Sequence, residues 1–241
     1  MDESQRNQLD EQGYLIFRNV LSASQIKTLL RRLEELWALE GDSSGKENYI
    51  EPGVRRLANL ANKGRIFREL CTHSQVLEVV EAVMGAEIRA SMVNARDVPP
   101  NTGARMPFHM DSDKGRVRDE KGYSAATAIW MLDPFTAENG ATAFIPGSHL
   151  LGKSPKDILA DVNASHPEEI IVDGEPGDVV VFNGHMWHAG RPNLTNMHRR
   201  AILIHYLRAD VPRPENRRQQ IDTENQADLS PRERELFGVD E

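Results

Sequence analysis

Residues 169 to 189 read EIIVDGEPGDVVVFNGHMWHA, and this stretch is the most informative about the fold. Two runs rich in strand-forming residues, 169 to 172 and 179 to 182, lie on either side of the turn Glu175-Pro176-Gly177-Asp178. A third short strand is predicted over 187 to 189. Short strands that are separated by glycine and proline turns are typical of proteins built from antiparallel sheets.

Short strand-forming runs separated by turn residues continue over most of the chain. Further strands are predicted over 13 to 20, 88 to 96, 124 to 132, 141 to 145 and 200 to 207. One helix is predicted to begin after Ser22, which forms a capping-box pattern with Gln25, and a second helical zone covers about 64 to 84. The expected fold is mainly β with flanking helices, around a double-stranded β-helix core, also called a jelly roll or cupin-like fold.

Length and composition exclude several classes of protein. The 241 residues suggest a single domain over 1–241, in which residues 209–241 form a polar C-terminal extension. A formal charge of −8 at pH 7 argues against nucleic-acid binding through a general positive field. The N-terminus is polar and no long apolar run follows it, so we expect no signal peptide and no membrane span. Cys71 is the only cysteine, which fits a reducing, cytoplasmic setting.

His109 and Asp111 form the first part of a candidate metal site. On an extended strand they point to the same face, because side chains alternate with period two. His188, from a distant strand, would complete a set of three. Two histidines and one carboxylate on one face are the ligand set of non-haem Fe(II) oxygenases. The alternative is that these three are hydrogen-bonded core residues that bind no metal.

One arginine follows the candidate ligands in sequence, and another ends a predicted strand. Arg199 follows His188 by eleven residues, and its guanidinium is able to hold a carboxylate through two parallel hydrogen bonds. Arg96 lies near the end of the strand predicted over 88 to 96, where it shares one face with Met92 and Asn94.

The sequence resembles the phytanoyl-CoA dioxygenase family of Fe(II)/2-oxoglutarate-dependent oxygenases over about residues 9 to 208. The matching segments are Gly13-Tyr14, His109-x-Asp111, Glu138-Asn139-Gly140, Ile145-Pro146-Gly147-Ser148-His149, Gly177-Asp178 and His188 through Arg200. The resemblance implies that His109, Asp111 and His188 bind Fe(II). It also implies that Arg199 pairs with the distal carboxylate of 2-oxoglutarate.

The chain departs from the family pattern at Gly190. The family often has a serine two residues after the distal histidine, in contact with the cosubstrate. Here we expect that contact to be lost or replaced, for instance by Thr127 or a water molecule. Other histidines compete with His188 for the distal position, but only His188 is followed by the spacing Gly-x-x-Asn-x-Thr-x-x-x-Arg; the competitors are His185, His198 and His205.

The implied activity is the hydroxylation, or a related oxidation, of a C–H bond in a small-molecule substrate. Dioxygen is consumed and 2-oxoglutarate is converted to succinate. Asp111 stands where a glycine or alanine would leave a coordination position for halide, and this favours hydroxylation or desaturation over halogenation. Two rival hypotheses stay open: a cupin-like metalloenzyme that does not use 2-oxoglutarate, and a non-catalytic binding protein on the same fold.

Basic residues near the predicted mouth leave the substrate class open. They are Arg96, Arg105, Lys114, Arg116, Arg118 and Arg191. Either they hold an anionic group, or most of them are solvated loop charges that are balanced by nearby acids. The polar segment from 112 to 122 could close over the substrate as a lid.

Overall fold

The structure is a computed structural model that describes residues 1–47, 51–85, 87–112, 117–212 and 221–239. The strands in these ranges are β1 Tyr14–Phe17, β2 Arg55–Leu57, β3 Ile88–Val98, β4 Ala125–Met131, β5 Ala143–Phe144, β6 Ile170–Ile171, β7 Val179–Asn183, β8 His188–Ala189 and β9 Arg199–Arg208. The helices are α1 Glu3–Gln12, α2 Ala23–Glu40, α3 Arg65–Cys71, α4 Ser74–Met84, α5 Pro155–Ile158 and α6 Pro231–Phe237. None of the described helices is long and apolar enough to cross a bilayer.

Two antiparallel sheets make up the core of the fold. The larger sheet has the order β1-β7-β4-β9-β3-β2, and the smaller has the order β6-β5-β8. Each of the eight predicted strands is present, with ends that differ from the prediction by at most three residues. The predicted fold class, mainly β with flanking helices around a jelly-roll core, is confirmed.

Strand β2 is the one strand that the sequence did not predict. It is only three residues long and contains two adjacent arginines, so it shows no alternation of apolar and polar residues. Its pairing with β3 places Arg56 directly opposite Arg96. Strand β2 thereby brings Arg56, which was not predicted to lie there, next to the candidate site.

The helices cover one face of the larger sheet. Helix α2 begins as predicted, with the Ser22 hydroxyl accepting a hydrogen bond from the Gln25 N–H at 3.3 Å. The predicted zone from 64 to 84 is divided into α3 and α4 at residues 72 and 73. The apolar side chains of these helices pack against the sheet; they include Leu29, Leu33, Trp37, Phe67, Val79, Val80 and Val83.

Strand β4 separates the two apolar cores because its side chains alternate between the faces of the sheet. Trp130 lies in the core under the helices. Ile129 and Met131 point the other way, into a second core between the two sheets that also contains Phe144 and Phe182. The space between the sheets is therefore where side chains from both can meet.

The C-terminal segment packs on the helical side. Helix α6 begins after Ser230, whose hydroxyl caps it together with Glu233. Leu236 is buried in the main core. The carboxylate of Glu233 lies 3.4 Å from Nε of Arg68 in a buried ion pair.

Gly177 joins the end of β1 to the start of β7. Its carbonyl oxygen accepts hydrogen bonds from the backbone N–H groups of Val20 and Leu21, at 2.9 and 3.0 Å. Its φ is +99°, and a Cβ there would lie only 2.6 Å from the Leu21 carbonyl oxygen. Both the backbone conformation and the close approach therefore require glycine.

Asp178 completes this junction with its carboxylate. One oxygen accepts from the Asn19 N–H at 2.8 Å, and the other from Arg18 Nη1 at 2.8 Å and the Glu175 N–H at 2.9 Å. Burial alone would raise the pKa of Asp178, but the hydrogen bonds from Glu175 and Arg18 outweigh it and lower the pKa. The ionised carboxylate thus joins the turn at residues 175–178 to the segment that follows β1.

We predict that Asp178→Asn destabilises the fold by about 1–3 kcal/mol at pH 7, because an amide cannot accept all of these hydrogen bonds. The pKa is lowered in the folded state, so this stabilisation is present above the unfolded-state pKa and is lost as pH falls below about 4. Urea unfolding at several pH values measures both effects.

The matched control is Asp173→Asn, because Asp173 faces the same Arg18 at 3.7 Å but its side chain is 79% exposed. We expect little change in stability for this variant. An equal loss of stability in both variants, or a loss for Asp178→Asn that does not depend on pH, would contradict the assignment.

Candidate metal centre

His109 pairs with His188 at the edge of the smaller sheet that β8 forms. The backbone N–H of each donates to the carbonyl oxygen of the other at 3.0 Å, so the segment around His109 extends the sheet beyond β8. Asp111 is held in turn, because its N–H donates to the Gly184 carbonyl oxygen at 2.8 Å. The backbone therefore sets the positions of all three predicted ligands.

Each histidine uses its Nδ1 for a local hydrogen bond. Nδ1 of His109 lies 2.9 Å from the carbonyl oxygen of Pro107, and Nδ1 of His188 lies 2.9 Å from that of Met186. Since a carbonyl only accepts, both Nδ1 atoms carry the proton and both Nε2 atoms present a lone pair. The two rings lie 4.2 Å apart between centroids.

Ligand atoms of His109, Asp111 and His188 all lie within 4.8 Å of one another. No other group of three such ligands is found in the part of the chain that the structure describes. Asp111 accepts a hydrogen bond at 2.6 Å from the Thr127 hydroxyl on Oδ2, while its Oδ1 lies 3.4 Å from Nε2 of His188. One carboxylate oxygen is thus occupied by Thr127 and the other faces the histidines.

The charges at the cluster are those that a divalent metal requires. Burial, followed by the neighbouring His188, lowers the pKa of His109 to about 4, so His109 is neutral at pH 7. Burial would raise the pKa of Asp111, but the adjacent imidazoles outweigh it and keep the carboxylate ionised. Burial would lower the pKa of His188, and Asp111 raises it. Metal binding would release any proton from Nε2 of His188, because a histidine ligand must be neutral.

Arg199 is buried, with 2% of its surface exposed. It lies on the same face of β9 as Leu203 and His205. Its Nε and Nη2 atoms have no hydrogen-bond partner among the described residues, and its guanidinium lies 4.7 Å from the ring centre of Phe135. Burial, followed by the charge of Arg96, lowers its pKa. A buried guanidinium with two unused donors fits a carboxylate ligand.

A cavity of about 290 Å³ opens between the sheets at the cluster. The three candidate ligands line it together with Thr127. So do Met92, Asn94 and Arg96, which confirms that these three residues share one face of β3. The rest of the wall is mainly apolar and includes Met106, Met110, Ile129, Phe182 and Leu203.

The competing histidines have other surroundings. His185 is fully buried, and its ring nitrogens lie 3.0 Å from the Ser124 hydroxyl and 3.1 Å from the Ser112 carbonyl oxygen. Nδ1 of His198 lies 3.0 Å from both carboxylate oxygens of Asp97. His205 contributes to the cavity wall.

Most of the basic residues near the mouth are paired with acids. Arg105 and Arg191 both contact Glu169, at 2.6 and 3.4 Å, and Arg118 lies 3.6 Å from Asp10. Lys114 and Arg116 lie outside the described residues, as does the central part of the predicted lid. Of this group, only Arg96 lines the cavity among the described residues.

Fold and site together define a class of protein, a jelly-roll protein with a candidate metal centre of two histidines and one carboxylate. Residues 9–201 match the family model described as Phytanoyl-CoA dioxygenase (PhyH). The match covers most of the chain, and the protein therefore belongs to the phytanoyl-CoA dioxygenase family. The predicted family and the predicted class, an Fe(II)/2-oxoglutarate-dependent dioxygenase, are confirmed.

Named relatives agree with this assignment. Dioxygenase af480 of Aspergillus fumigatus is 28% identical over 99% of this chain and 77% of its own length. The peroxisomal phytanoyl-CoA dioxygenase of Rattus norvegicus is 26% identical over 86% of this chain and 68% of its own length.

Solved structures share the fold. EctD from S. alaskensis, with bound Fe, superposes with a TM-score of 0.72 at 21% identity, over 89% of this chain and 82% of its own. HygX from Streptomyces hygroscopicus, with nickel and 2-oxoglutarate bound, superposes with a TM-score of 0.68 at 19% identity, over 87% and 88%.

Sequence reasoning missed two residues next to the cavity. Arg56 lines it from β2, and buried Glu51 contacts both Arg56 and Arg96. Glu51 precedes Pro52 and Gly53 in a loop, so no periodic pattern marked it. The adjacent arginines of β2 were the only available signal, and a pair of arginines more often indicates a solvated surface.

We predict that Thr127 positions Asp111 for metal binding. Thr127→Val removes the hydroxyl but preserves the shape of the side chain, and should weaken Mn(II) binding about 10-fold or more, as is usual for partners of metal ligands. The dissociation constant is measured from free Mn(II) by electron paramagnetic resonance.

Thr127→Ser is the matched control, because it retains the hydroxyl, and we expect near wild-type affinity. Wild-type affinity in the valine variant would refute the positioning role. That Thr127 also contacts the cosubstrate stays a prediction, since its hydroxyl already donates to Asp111.

Proposed function

We propose that this chain binds Fe(II) through His109, Asp111 and His188, and binds 2-oxoglutarate through Arg199. The reaction is the hydroxylation, or a related oxidation, of a C–H bond in a small molecule. The observation that carries the proposal is the buried Arg199 guanidinium, whose Nε and Nη2 atoms lack a partner. A metal cluster alone fits many enzymes, whereas a metal cluster with an unsatisfied buried arginine on the cavity face fits a chelating diacid.

The three ligands divide the work of holding the metal. Asp111 would provide one negative charge to a bound Fe(II), and the two neutral imidazoles would provide none, so the site would leave a net positive charge to attract an anionic cosubstrate. Thr127 holds Oδ2 of Asp111 and leaves Oδ1 for the metal. The carbonyl oxygens of Pro107 and Met186 fix the orientation of the imidazoles.

Ferrous iron and 2-oxoglutarate, when bound, would supply the activation of dioxygen: 2-oxoglutarate is decarboxylated to succinate and CO2, one oxygen atom entering succinate and the other oxidising the substrate. The protein contributes orientation and shielding. Arg199 fixes the end of the diacid away from the metal, and Ile129, Phe182 and Leu203 keep that part of the cavity apolar. Asp111 occupies the position that a halide ligand would need, which supports hydroxylation or desaturation rather than halogenation.

The proposed partners are a small-molecule substrate and dioxygen. A cavity of about 290 Å³ that also holds the cosubstrate supports a small reacting group rather than a macromolecular one. We also propose a cytoplasmic location. Its support is compositional: the sole cysteine, Cys71, is a buried thiol.

Proteins that share this fold carry out more than one type of reaction. An epimerase, SnoN, and a carbocyclase, SnoK, share the fold with TM-scores of 0.67 and 0.68 at 21% and 22% identity. Release of succinate during turnover separates all of these reactions from that of a metalloenzyme that does not use 2-oxoglutarate.

We predict that anaerobic addition of Fe(II) and 2-oxoglutarate produces a visible charge-transfer band, because chelation joins an electron-rich metal to a keto acid. His188→Ala should abolish the band by removing one ligand. His198→Gln is the matched control; His198 pairs with Asp97, and its loss should leave the band in place.

Metal content is measured in the same samples. A wild-type protein that is loaded with Fe(II) but shows no band with 2-oxoglutarate would refute cosubstrate chelation. A band that persists in His188→Ala would refute the ligand assignment.

A further inference from the structure

Gly190 and Arg96 share one space at the cavity wall. Gly190 follows His188 by two residues, and both Gly190 and Arg96 line the cavity. A Cβ on residue 190 would lie 3.2 Å from Nη2 of Arg96 and 3.1 Å from Sδ of Met106. These distances are tighter than ordinary van der Waals contact, so a larger side chain would displace the guanidinium. The lack of a side chain at 190 lets Arg96 occupy this place.

Arg96 and Arg199 extend into the same region from neighbouring strands. In the pairing of β3 with β9, Arg96 lies opposite Ala201 and Val98 lies opposite Arg199. The two arginines are therefore diagonal neighbours on one face, a separation that long side chains bridge. The charge of Arg96 contributes to the lowered pKa of Arg199, second only to burial, which agrees with this proximity.

Two arginines of this region share Glu51, while Asp97 and Asp133 act on Arg199 through their charge without pairing with it. Glu51 accepts from Nε of Arg96 at 2.8 Å and also contacts its Nη2. The same carboxylate accepts from Nη2 of Arg56 at 2.6 Å. One acid thus serves two guanidiniums, and Arg199 forms no ion pair within the described ranges. Buried like charges are costly unless an anion lies between them.

We propose that Arg96 is a second anchor for the distal carboxylate of 2-oxoglutarate, beside Arg199 and in the space that Gly190 leaves open. The inference rests on the proposed function. Two guanidiniums donating to one carboxylate offset their mutual repulsion and select a keto acid that carries a second acid group. Glu51 keeps Arg96 in place through two of its nitrogens.

A pair of ligands isolates this contact. 2-Oxoglutarate and 2-oxovalerate have the same chelating end, but 2-oxovalerate has a methyl group where 2-oxoglutarate has its distal carboxylate. Their dissociation constants are measured by calorimetry on the Mn(II)-loaded protein, without turnover. The ratio of the two constants reports on the distal carboxylate, because damage to the metal site or to the fold weakens both ligands together.

We expect Arg96→Gln to weaken 2-oxoglutarate about 10- to 100-fold, the usual size for one lost hydrogen bond between charged groups. Binding of 2-oxovalerate should change by less than about 2-fold, since it makes no such bond. Gly190→Val should also reduce the preference for 2-oxoglutarate, because it displaces the guanidinium while the charge remains.

Two further variants make the result decisive. Arg200→Gln is the matched control: Arg200 lies beside Arg199 but on the other face of β9, where its Nε donates to Asp133 at 2.8 Å. In Arg200→Gln, the ratio of the dissociation constants of the two keto acids should equal that of the wild type. The double variant Glu51→Gln/Arg96→Gln removes both charges of the buried pair and therefore decides the question if Arg96→Gln alone fails to fold.

The outcomes separate the two proposals. If the wild type binds neither keto acid, the proposed function fails. If Arg199→Gln loses the preference for 2-oxoglutarate but Arg96→Gln and the double variant keep it, only the role of Arg96 is overturned.

A carboxylate of the substrate is the other candidate ligand for Arg96. In that case Arg96→Gln would keep the preference but weaken the binding of hexanoate to the Mn(II)–2-oxoglutarate complex, and the inference would again be overturned.

Discussion

The site depends on one reciprocal pair of backbone hydrogen bonds, between residues 109 and 188. Without it, two histidines that are far apart in sequence have no reason to lie together. These two hydrogen bonds bring the centroids of their rings to 4.2 Å from each other at the edge of the smaller sheet. Asp111 lies next to the turn at Gly184, to whose carbonyl oxygen its N–H donates, and its carboxylate lies within 4.8 Å of the ligand nitrogens of both histidines. Side-chain chemistry at the centre thus follows from sheet pairing.

A second constraint is the positive charge of the arginine side chains that lie between the sheets. Arg56, Arg96 and Arg199 face a region in which Glu51 is the acid that contacts two of them. Burying guanidiniums without full compensation costs stability, and such conflicts between folding and polarity are typical of functional sites. In the proposed function, the compensating anion is the distal carboxylate of 2-oxoglutarate rather than a residue of the chain. The Asp178 junction, in contrast, satisfies its buried charge entirely from within the protein.

Much of this organisation could be predicted from local patterns. The strands around residues 170 to 189 and the cap at Ser22 were predictable because turn residues, alternation and capping act over a few neighbouring positions. The common face of His109 and Asp111 followed from the same period-two rule. Strand β2 was not predictable, because three residues with two arginines carry no periodic signal. The role of Glu51 was hidden for a related reason: its partner Arg96 is 45 residues away.

The amino-acid pattern alone therefore predicted the fold class and the chemical nature of the candidate ligands, and the resemblance of its motifs indicated the family. Each of these rests on short-range periodicity or on motif spacing, which a linear chain displays directly. The assembled sheets decided that the rings of His109 and His188 lie 4.2 Å apart, that Thr127 donates to Asp111, and that Arg96 fills the space beside Gly190. Those features depend on distances between residues that are remote in sequence. Such distances are set by strand register and by the packing of one sheet on the other.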